Sequence, residues 1–520
     1  MKKFTTLLCS LLLLASCNQE TISNSNSQNN IIEESEVISS SISETTLESE
    51  VSSESEIASE ESEILSSSNE EISLSESEII SEESSEMQEA PEIVFNKKVD
   101  MSYSFTGDNK DKPGFAEGII TITPTVSKST TGYYLLYFAD DYQILPNHDE
   151  LVSIKITGET VTYEIKDGIY LPSEASKLVV FESSKMFLDN PPSIEKAIDI
   201  IDIPTYKRLK LSESNMTLGV TSDVHINFEE LGFGSLLKWD NTLDFFGQNN
   251  TDYVIITGDM TGDSNLEYEY TYYIDSIDMS LIPLDNVFES IGNHGNSPST
   301  VDLFAKYTNG SKDIRPFENS PYYHVFIEGN DKKDTLFIFM AQELKGPSDS
   351  ASYDNFSKQQ IDWLENLLNQ YGNTDTNIFI IEHSPFLNFG PGDRHNGDYT
   401  RMITFKEEYV QTMRLKKLLE TYKDVILLSG HTHLTYYENE NYSNENDSFC
   451  HMVHVSSGTQ TSSYNHGDTL ISDTDGRYDN SETYGSEGYI VNIYDDYIIF
   501  TAYNISTKKI IPVGCIIIEL

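Results

Sequence analysis

Short apolar runs recur through the second half of this 520-residue chain, and segments with helical periodicity separate several of them. Each run has the length of a buried strand and is too short for a buried helix. The runs start at Leu218, Tyr253, Val287, Leu336, Ile378 and Val425. Residues 357–371 and 405–422 predict helices, and Ser357 with Gln360 three residues later forms a capping-box pattern. This alternation predicts a layered α/β domain.

Side chains of the types that bind metals follow five of these six runs. They are Asp223, His225, Asp259, Asn293, His294, His383, His431 and His433. In an α/β sheet, ligands bind in the crevice beyond the carboxyl ends of the strands. One such residue alone is more often a hydrogen-bonded structural group than a ligand, but five groups in a fixed order predict a common site. Glycines at positions 258, 292 and 430 stand next to these residues and allow close backbone approach.

The order of the groups, Asp-x-His, Gly-Asp, Gly-Asn-His, His and Gly-His-x-His, resembles the calcineurin-like metallophosphoesterase family. The resemblance covers roughly Met216 to Tyr437. It implies a β-sandwich flanked by helices and an enzyme that hydrolyses phosphate esters with two metal ions. Later strands would complete the second sheet, and the tail from Gly488 to Leu520 predicts closing strands.

The resemblance also implies which residues bind the two ions. Asp223, His225, Asp259 and His433 would hold one ion, and Asp259, Asn293, His383 and His431 would hold the other. Asp259 would therefore bridge the ions, using both carboxylate oxygens. The nucleophile would be a hydroxide activated by the metals, without a covalent enzyme intermediate. Histidine and carboxylate ligands suit divalent manganese, zinc or iron.

His294 would not bind metal in this interpretation. It would contact the transferring phosphoryl group and act catalytically, either by stabilising negative charge or by protonating the leaving oxygen. The alternative is that His294 only orients a metal ligand.

Two positions depart from the family pattern. Gly295 stands where an acidic residue usually follows Gly-Asn-His, so a supporting hydrogen bond is expected to be missing. Gly262 stands where purple acid phosphatases have a tyrosine that binds ferric iron. The sequence therefore predicts metal binding but no purple, ferric centre.

The net charge of −52 argues against nucleic acid as a general partner, because nucleic-acid binding depends on Lys and Arg. Bound metal would supply the local positive charge that an anionic phosphate ester needs. Arg394 and His395 lie in a Gly/Pro-rich loop and could contact substrate, although a solvated loop is the alternative. No other substrate-binding residue can be assigned from the sequence.

The N-terminus has the features of a bacterial lipoprotein signal. Lys2 and Lys3 precede an apolar run from Phe4 to Ala15 that is too short for a stable membrane span. The run ends in Leu-Ala-Ser-Cys, which resembles a lipobox, so residues 1–16 predict a signal peptide and Cys17 the lipidated residue. An ordinary secretory signal is the alternative. We expect the mature protein on the extracytoplasmic face of the cell membrane, held by a lipid anchor.

The composition changes twice before the α/β domain. Residues 18–92 lack Lys, Arg and aromatic residues and are rich in Ser and Glu, so residues 17–93 predict the lipidated cysteine and a disordered Ser/Glu-rich linker. Residues 94–211 contain alternating apolar runs, which predict a small all-β, sandwich-like domain. Residues 212–520 predict the phosphoesterase domain with its C-terminal strands. Cys450 and Cys515 could form a disulfide or remain buried thiols.

Together these patterns predict an extracytoplasmic metal-dependent phosphoesterase that acts on phosphate mono- or diesters. The alternative is a surface lipoprotein that acts in binding or adhesion, with a structural or degenerate metal site. All seven expected metal ligands are present, which favours the enzyme, and Gly295 is the feature that favours the alternative.

Overall fold

The computed structural model describes most of the chain beyond residue 92. The described residues are 93–106, 111–126, 130–188, 190–226, 234–262, 267–294, 298–308, 315–317, 320–342, 356–392, 402–438, 440–461 and 485–520. They fall in one compact unit, Glu86–Leu520. The predicted signal peptide, Cys17 and the predicted linker up to residue 92 lie outside the described residues.

The first described part is all β, as predicted. Its strands are β1 (Val99–Phe105), β2 (Gly118–Pro124), β3 (Tyr133–Ala139), β4 (Val152–Lys155), β5 (Val161–Ile165), β6 (Lys177–Ser183) and β7 (Asp199–Asp202). They form two antiparallel sheets, with strand orders β1-β2-β5 and β4-β3-β6-β7. Alternation sets the buried face of β2, where Ile120 and Ile122 are buried and Ile119 is exposed.

Two further sheets make up the α/β part. The first contains β8 (Met216–Thr221), β9 (Tyr253–Ile256), β10 (Val287–Glu289), β17 (Glu487–Ile493), β18 (Tyr497–Asn504), β19 (Lys509–Ile510) and β20 (Ile516–Glu519). The second contains β11 (Tyr323–Ile327), β12 (Asp334–Phe339), β13 (Thr376–Ile381), β14 (Ile426–Ser429), β15 (Tyr442–Ser443) and β16 (His451–His454). β8, β9 and β10 are parallel in the first sheet, and β12, β13, β14 and β16 are parallel in the second. Their carboxyl ends therefore form two continuous edges.

The later strands complete both sheets. β15 and β16 follow the predicted family segment and complete the second sheet, as expected. In the tail, β17 pairs with β8 and so extends the first sheet.

The helices of the described residues are α1 (Gly234–Gln248), α2 (Glu267–Met279), α3 (Pro298–Tyr307), α4 (Lys358–Tyr371) and α5 (Val410–Thr421). The predicted cap of α4 is confirmed, since the Ser357 side chain accepts a hydrogen bond from the Gln360 amide. The predicted start of α5 is wrong, because Phe405 lies before the helix. The Phe405 ring instead packs against Phe386, with ring centroids 4.5 Å apart. None of the helices in these ranges is both long and apolar enough to cross a membrane.

Strand alternation builds a sandwich of two sheets with helices outside. In β12, Phe337 and Phe339 join the core that contains Val220 of the first sheet. Leu336 and Ile338, on the other face of β12, pack in a separate core with residues of α4 and α5. The predicted fold class, a calcineurin-like sandwich flanked by helices and preceded by an all-β region, is confirmed. Cys450 and Cys515 are buried free thiols.

Candidate metal centre

The candidate ligands follow strands of both sheets. Asp223 and His225 follow β8, Asp259 follows β9, and Asn293 and His294 follow β10. His383 follows β13 of the second sheet, and His431 and His433 follow β14. The site therefore lies where the carboxyl edges of the two sheets meet, as the sequence predicted.

The first group consists of Asp223, His225 and His433, whose ligand atoms converge. Nε2 of His433 lies 3.1 Å from Oδ1 of Asp223 and 3.2 Å from Nε2 of His225. Nε2 of His225 lies 3.5 Å from the same Asp223 oxygen. Three donor atoms from two sheets thus surround one small volume.

The second group consists of Asp259, His383 and His431. Nε2 of His383 lies 3.0 Å from Oδ2 of Asp259, and the His383 and His431 rings have centroids 5.2 Å apart. The groups are contiguous, because Oδ2 of Asp259 also lies 3.9 Å from Nε2 of His225 in the first group. His225 and Asp259 form a third such group with His294.

Each aspartate has one oxygen fixed by the backbone. Oδ2 of Asp223 accepts a hydrogen bond from the His431 amide at 2.8 Å, and Oδ1 of Asp259 accepts one from the His294 amide at 2.9 Å. The other oxygen of each carboxylate faces the imidazoles. Oδ2 of Asp259 lies near imidazoles of both groups, 3.0 Å from Nε2 of His383 and 3.9 Å from Nε2 of His225. The bridge through both oxygens of Asp259 stays a prediction.

The donor set fits divalent metal ions. Imidazole and carboxylate ligands sit about 2.0–2.2 Å from such an ion, so adjacent ligands around one ion are about 3–3.5 Å apart. The closest separations given above fall in that range. Oδ1 of Asp223 is buried and accepts no hydrogen bond from the described residues, although three imidazole nitrogens lie 3.1, 3.5 and 3.7 Å away. A buried carboxylate oxygen in that setting is suited to a cation.

Left-handed backbone conformations aim most of these side chains. Positive φ angles of 46° to 68° occur at Asp223, His225, Asp259, His431 and His433. Such conformations cost a non-glycine residue about 1–3 kcal/mol each and occur where the surrounding structure enforces them, often at functional sites. Gly292 allows a close approach, because a Cβ there would lie 1.9 Å from Oδ1 of Asp259.

The far nitrogens of two histidines fix which atom faces the site. Nδ1 of His383 lies 3.2 Å from the Thr257 carbonyl oxygen, and Nδ1 of His433 lies 3.0 Å from that of Gln460. Since a carbonyl oxygen only accepts, Nδ1 donates in both cases and Nε2 is left as the ligand atom.

The charged side chains of the site shift one another's pKa values. Burial lowers the pKa of His383, but Asp259 and Asp223 outweigh burial and raise it to about 9. Burial raises the pKa of both aspartates, but the neighbouring histidines outweigh it. His433 and His383 hold the pKa of Asp223 below its usual range. His383 and His294 do the same for the pKa of Asp259. Burial and the neighbouring His383 lower the pKa of His431 to about 3. His383 would therefore have to lose a proton to bind a divalent ion, whereas both carboxylates are already ionised and His431 is already neutral.

His294 is partly exposed at the site, whereas the adjacent Asn293 is buried. The His294 side chain is 23% exposed, compared with 18% for His433 and 9% or less for His225 and His383. It is therefore more accessible to solvent than these ligand side chains. Nε2 of His294 lies 3.8 Å from Oδ2 of Asp259. Asn293 is buried directly between Gly292 and His294, both of which touch Asp259.

One segment of the site was missed by the sequence reasoning. Ser457 donates a hydrogen bond to the Asp223 carbonyl oxygen at 2.8 Å, and Thr459 donates to the Val224 carbonyl oxygen at 2.7 Å. Gln460 accepts from His433. These residues directly follow the strand-like run that forms β16, and β16 is parallel to β14. That position in the sequence could have indicated that they lie near the site.

His454 is buried, with Nε2 2.8 Å from the Leu434 carbonyl oxygen. Gly295, Arg394 and His395 lie outside the described residues. Gly262 lies within the described residues, and its amide donates a hydrogen bond to the Ile226 carbonyl oxygen.

Residues 216–434 match the family model of the calcineurin-like phosphoesterases, so the predicted family resemblance is confirmed for this part of the chain. The chain is similar to a dimetal phosphatase from Danio rerio, with 11% identity over 59% of this chain and 99% of that chain and a TM-score of 0.42. It is also similar to a purple acid phosphatase from yellow lupin (Lupinus luteus) seeds, with 13% identity over 82% of this chain and 74% of that chain and a TM-score of 0.39. A comparison with curated protein sequences finds no match.

Proposed function

We propose that the chain is a lipid-anchored, extracytoplasmic phosphoesterase that hydrolyses phosphate mono- or diesters with two divalent metal ions. The observation that supports this most is the pair of contiguous ligand groups that meet at Oδ2 of Asp259. Two ions that share a carboxylate can lie about 3.5–4 Å apart, a spacing suited to clamping both oxygens of an in-line displacement.

The ligand assignment combines the first two groups with Asn293, which the family resemblance adds. Asp223, His225 and His433 would hold one ion, and Asn293, His383 and His431 would hold the other, with Asp259 shared between them. Bound divalent ions would supply positive charge and activate water for attack on phosphorus. Manganese, zinc and iron all suit this donor set.

The chain itself contributes orientation and a mobile proton. Nδ1 donors on His383 and His433 keep Nε2 of both rings directed at the ions. His294, whose side chain is partly exposed, is placed to donate a hydrogen bond to the phosphoryl group or a proton to the leaving oxygen. Its amide holds Oδ1 of Asp259, so the same residue also orients the shared carboxylate.

Hydrolysis of simple aryl esters tests the proposed function. We expect the metal-stripped full chain to hydrolyse p-nitrophenyl phosphate or bis(p-nitrophenyl) phosphate only after Mn²⁺, Zn²⁺ or Fe²⁺ is added, and the preferred ester to separate monoesterase from diesterase activity. Metal binding without hydrolysis of either ester would favour the alternative of a binding or adhesive lipoprotein.

Localisation is tested at Cys17. If Cys17 carries the lipid anchor, Cys17→Ser should leave the signal uncleaved or release the protein from the membrane fraction, because the acylated thiol is absent. Cys450→Ser is the matched control, since that thiol is buried in the fold and should not affect fractionation. Unchanged processing and membrane association of Cys17→Ser would contradict the anchor.

A further inference from the structure

The loop that follows β14 carries two candidate ligands in left-handed conformations. His431 has a φ of 68° and His433 a φ of 56°. The start of the loop is fixed at the site itself, where the His431 amide donates to Asp223 and the Gly430 amide donates to His383. Because two left-handed residues so close together are costly, the far end of the loop must also be fixed.

A buried carboxylate fixes that far end. Oε1 of Glu487 accepts a hydrogen bond from the Thr435 hydroxyl at 2.6 Å, and Oε2 accepts one from the Tyr436 amide at 2.9 Å. Tyr436 begins a short 3₁₀ turn, Tyr436–Glu438, so Glu487 caps the turn that ends the loop. These two hydrogen bonds hold the Thr435 hydroxyl and the Tyr436 amide against one side chain.

Glu487 is also tied to the other side of the site. It is the first residue of β17, and its carbonyl oxygen accepts a hydrogen bond from the hydroxyl of Thr221 at 3.0 Å. Thr221 ends β8, two residues before Asp223. Glu487, Thr435 and Thr221 are all buried. Glu487 therefore connects the strand that leads to Asp223 with the loop that carries His431 and His433.

We propose that Glu487 is a positioning residue that sets the orientation of His431 and His433 for metal binding. It lies beyond residues 216–434, which match the family model, so the family motifs do not include it. The inference rests on the proposed metal site, and it deepens that proposal by assigning a role to the C-terminal strands.

Glu487→Gln tests the role with little change of shape. The amide oxygen would keep the hydrogen bond from the Tyr436 amide, but the NH₂ group would donate to the Thr435 hydroxyl, so that hydrogen bond would reverse its direction and the hydroxyl would have to turn. We expect the dissociation constant for Mn²⁺ to rise by about 10–100-fold, the usual effect of changing a group that orients a ligand. Thr435→Val should have an effect that is not additive with Glu487→Gln, because both act through one contact.

A control and a metal-free measurement separate positioning from general instability. Leu364→Ala removes a side chain from the core between α4 and the second sheet, so it should lower Tm while leaving the Mn²⁺ affinity within about twofold. In the metal-free chain, imidazole ¹⁵N signals of His431 and His433 should shift in Glu487→Gln and not in Leu364→Ala. This readout still tests positioning if the wild type binds no Mn²⁺, which would count against the proposed function instead. Wild-type imidazole signals in Glu487→Gln, or an equal affinity loss in Leu364→Ala, would overturn the inference.

Discussion

Asp259→Asn should reduce metal binding at both sites and abolish nearly all phosphoesterase activity. Oδ2 of Asp259 faces imidazoles of both ligand groups, His383 at 3.0 Å and His225 at 3.9 Å, so the substitution removes a negative charge that both ions would share. Removing one partner of a buried charge pair costs about 3–5 kcal/mol, which is about 10²–10⁴-fold in affinity. Metal content by mass spectrometry and the rate with an aryl phosphate measure both effects.

Asp223→Asn is the matched control for that variant. It makes the same chemical change at an equally buried carboxylate, whose Oδ1 also lies 3.7 Å from Nε2 of His383 but which the proposed ligand assignment gives to one ion only. We expect this variant to retain about one ion per chain while Asp259→Asn retains fewer. Equal metal loss in the two variants would argue that Asp259 is not shared between the ions.

His294→Ala should separate catalysis from metal binding. The His294 side chain is more exposed than that of His433, and it is not needed for either proposed ligand set. Metal content should stay near the wild-type value, while turnover falls by about 10²–10⁴-fold, the usual contribution of a general acid.

The leaving group distinguishes the two catalytic roles of His294. An aryl leaving group needs little protonation, so the loss should be smaller with a p-nitrophenyl ester than with an alkyl ester if His294 is the acid. If His294 acts by stabilising charge, the loss should be similar for both esters. Metal loss in His294→Ala would mean instead that the residue orients a ligand.

The sequence predicted the site better than the details of the fold around it. The order of apolar runs was sufficient to predict β8, β9, β10, β13 and β14, because buried parallel strands are short and almost wholly apolar. Since parallel strands place their carboxyl ends on one edge, the residues after them could be expected to meet. The structure brings together the histidines and aspartates that this argument selected.

Other features depend on tertiary contacts that no local pattern encodes. The pairing of β17 with β8 joins segments more than 260 residues apart, and nothing local shows which sheet the closing strands enter. The contacts of Ser457 and Thr459 with the backbone near Asp223 join residues 234 and 235 positions apart in sequence. The hydrogen bond from the His294 amide to Oδ1 of Asp259 depends on the turn after β10.

Titration of the metal-stripped full chain with Mn²⁺ tests the central claim most directly, with bound ions counted and hydrolysis of the preferred aryl phosphate followed in the same samples. We predict that the metal-free chain is inactive and that activity reaches its maximum when two ions are bound per chain. Equal hydrolysis by the metal-free chain, or full activity with one ion per chain, would contradict the proposal of a phosphoesterase with two metal ions.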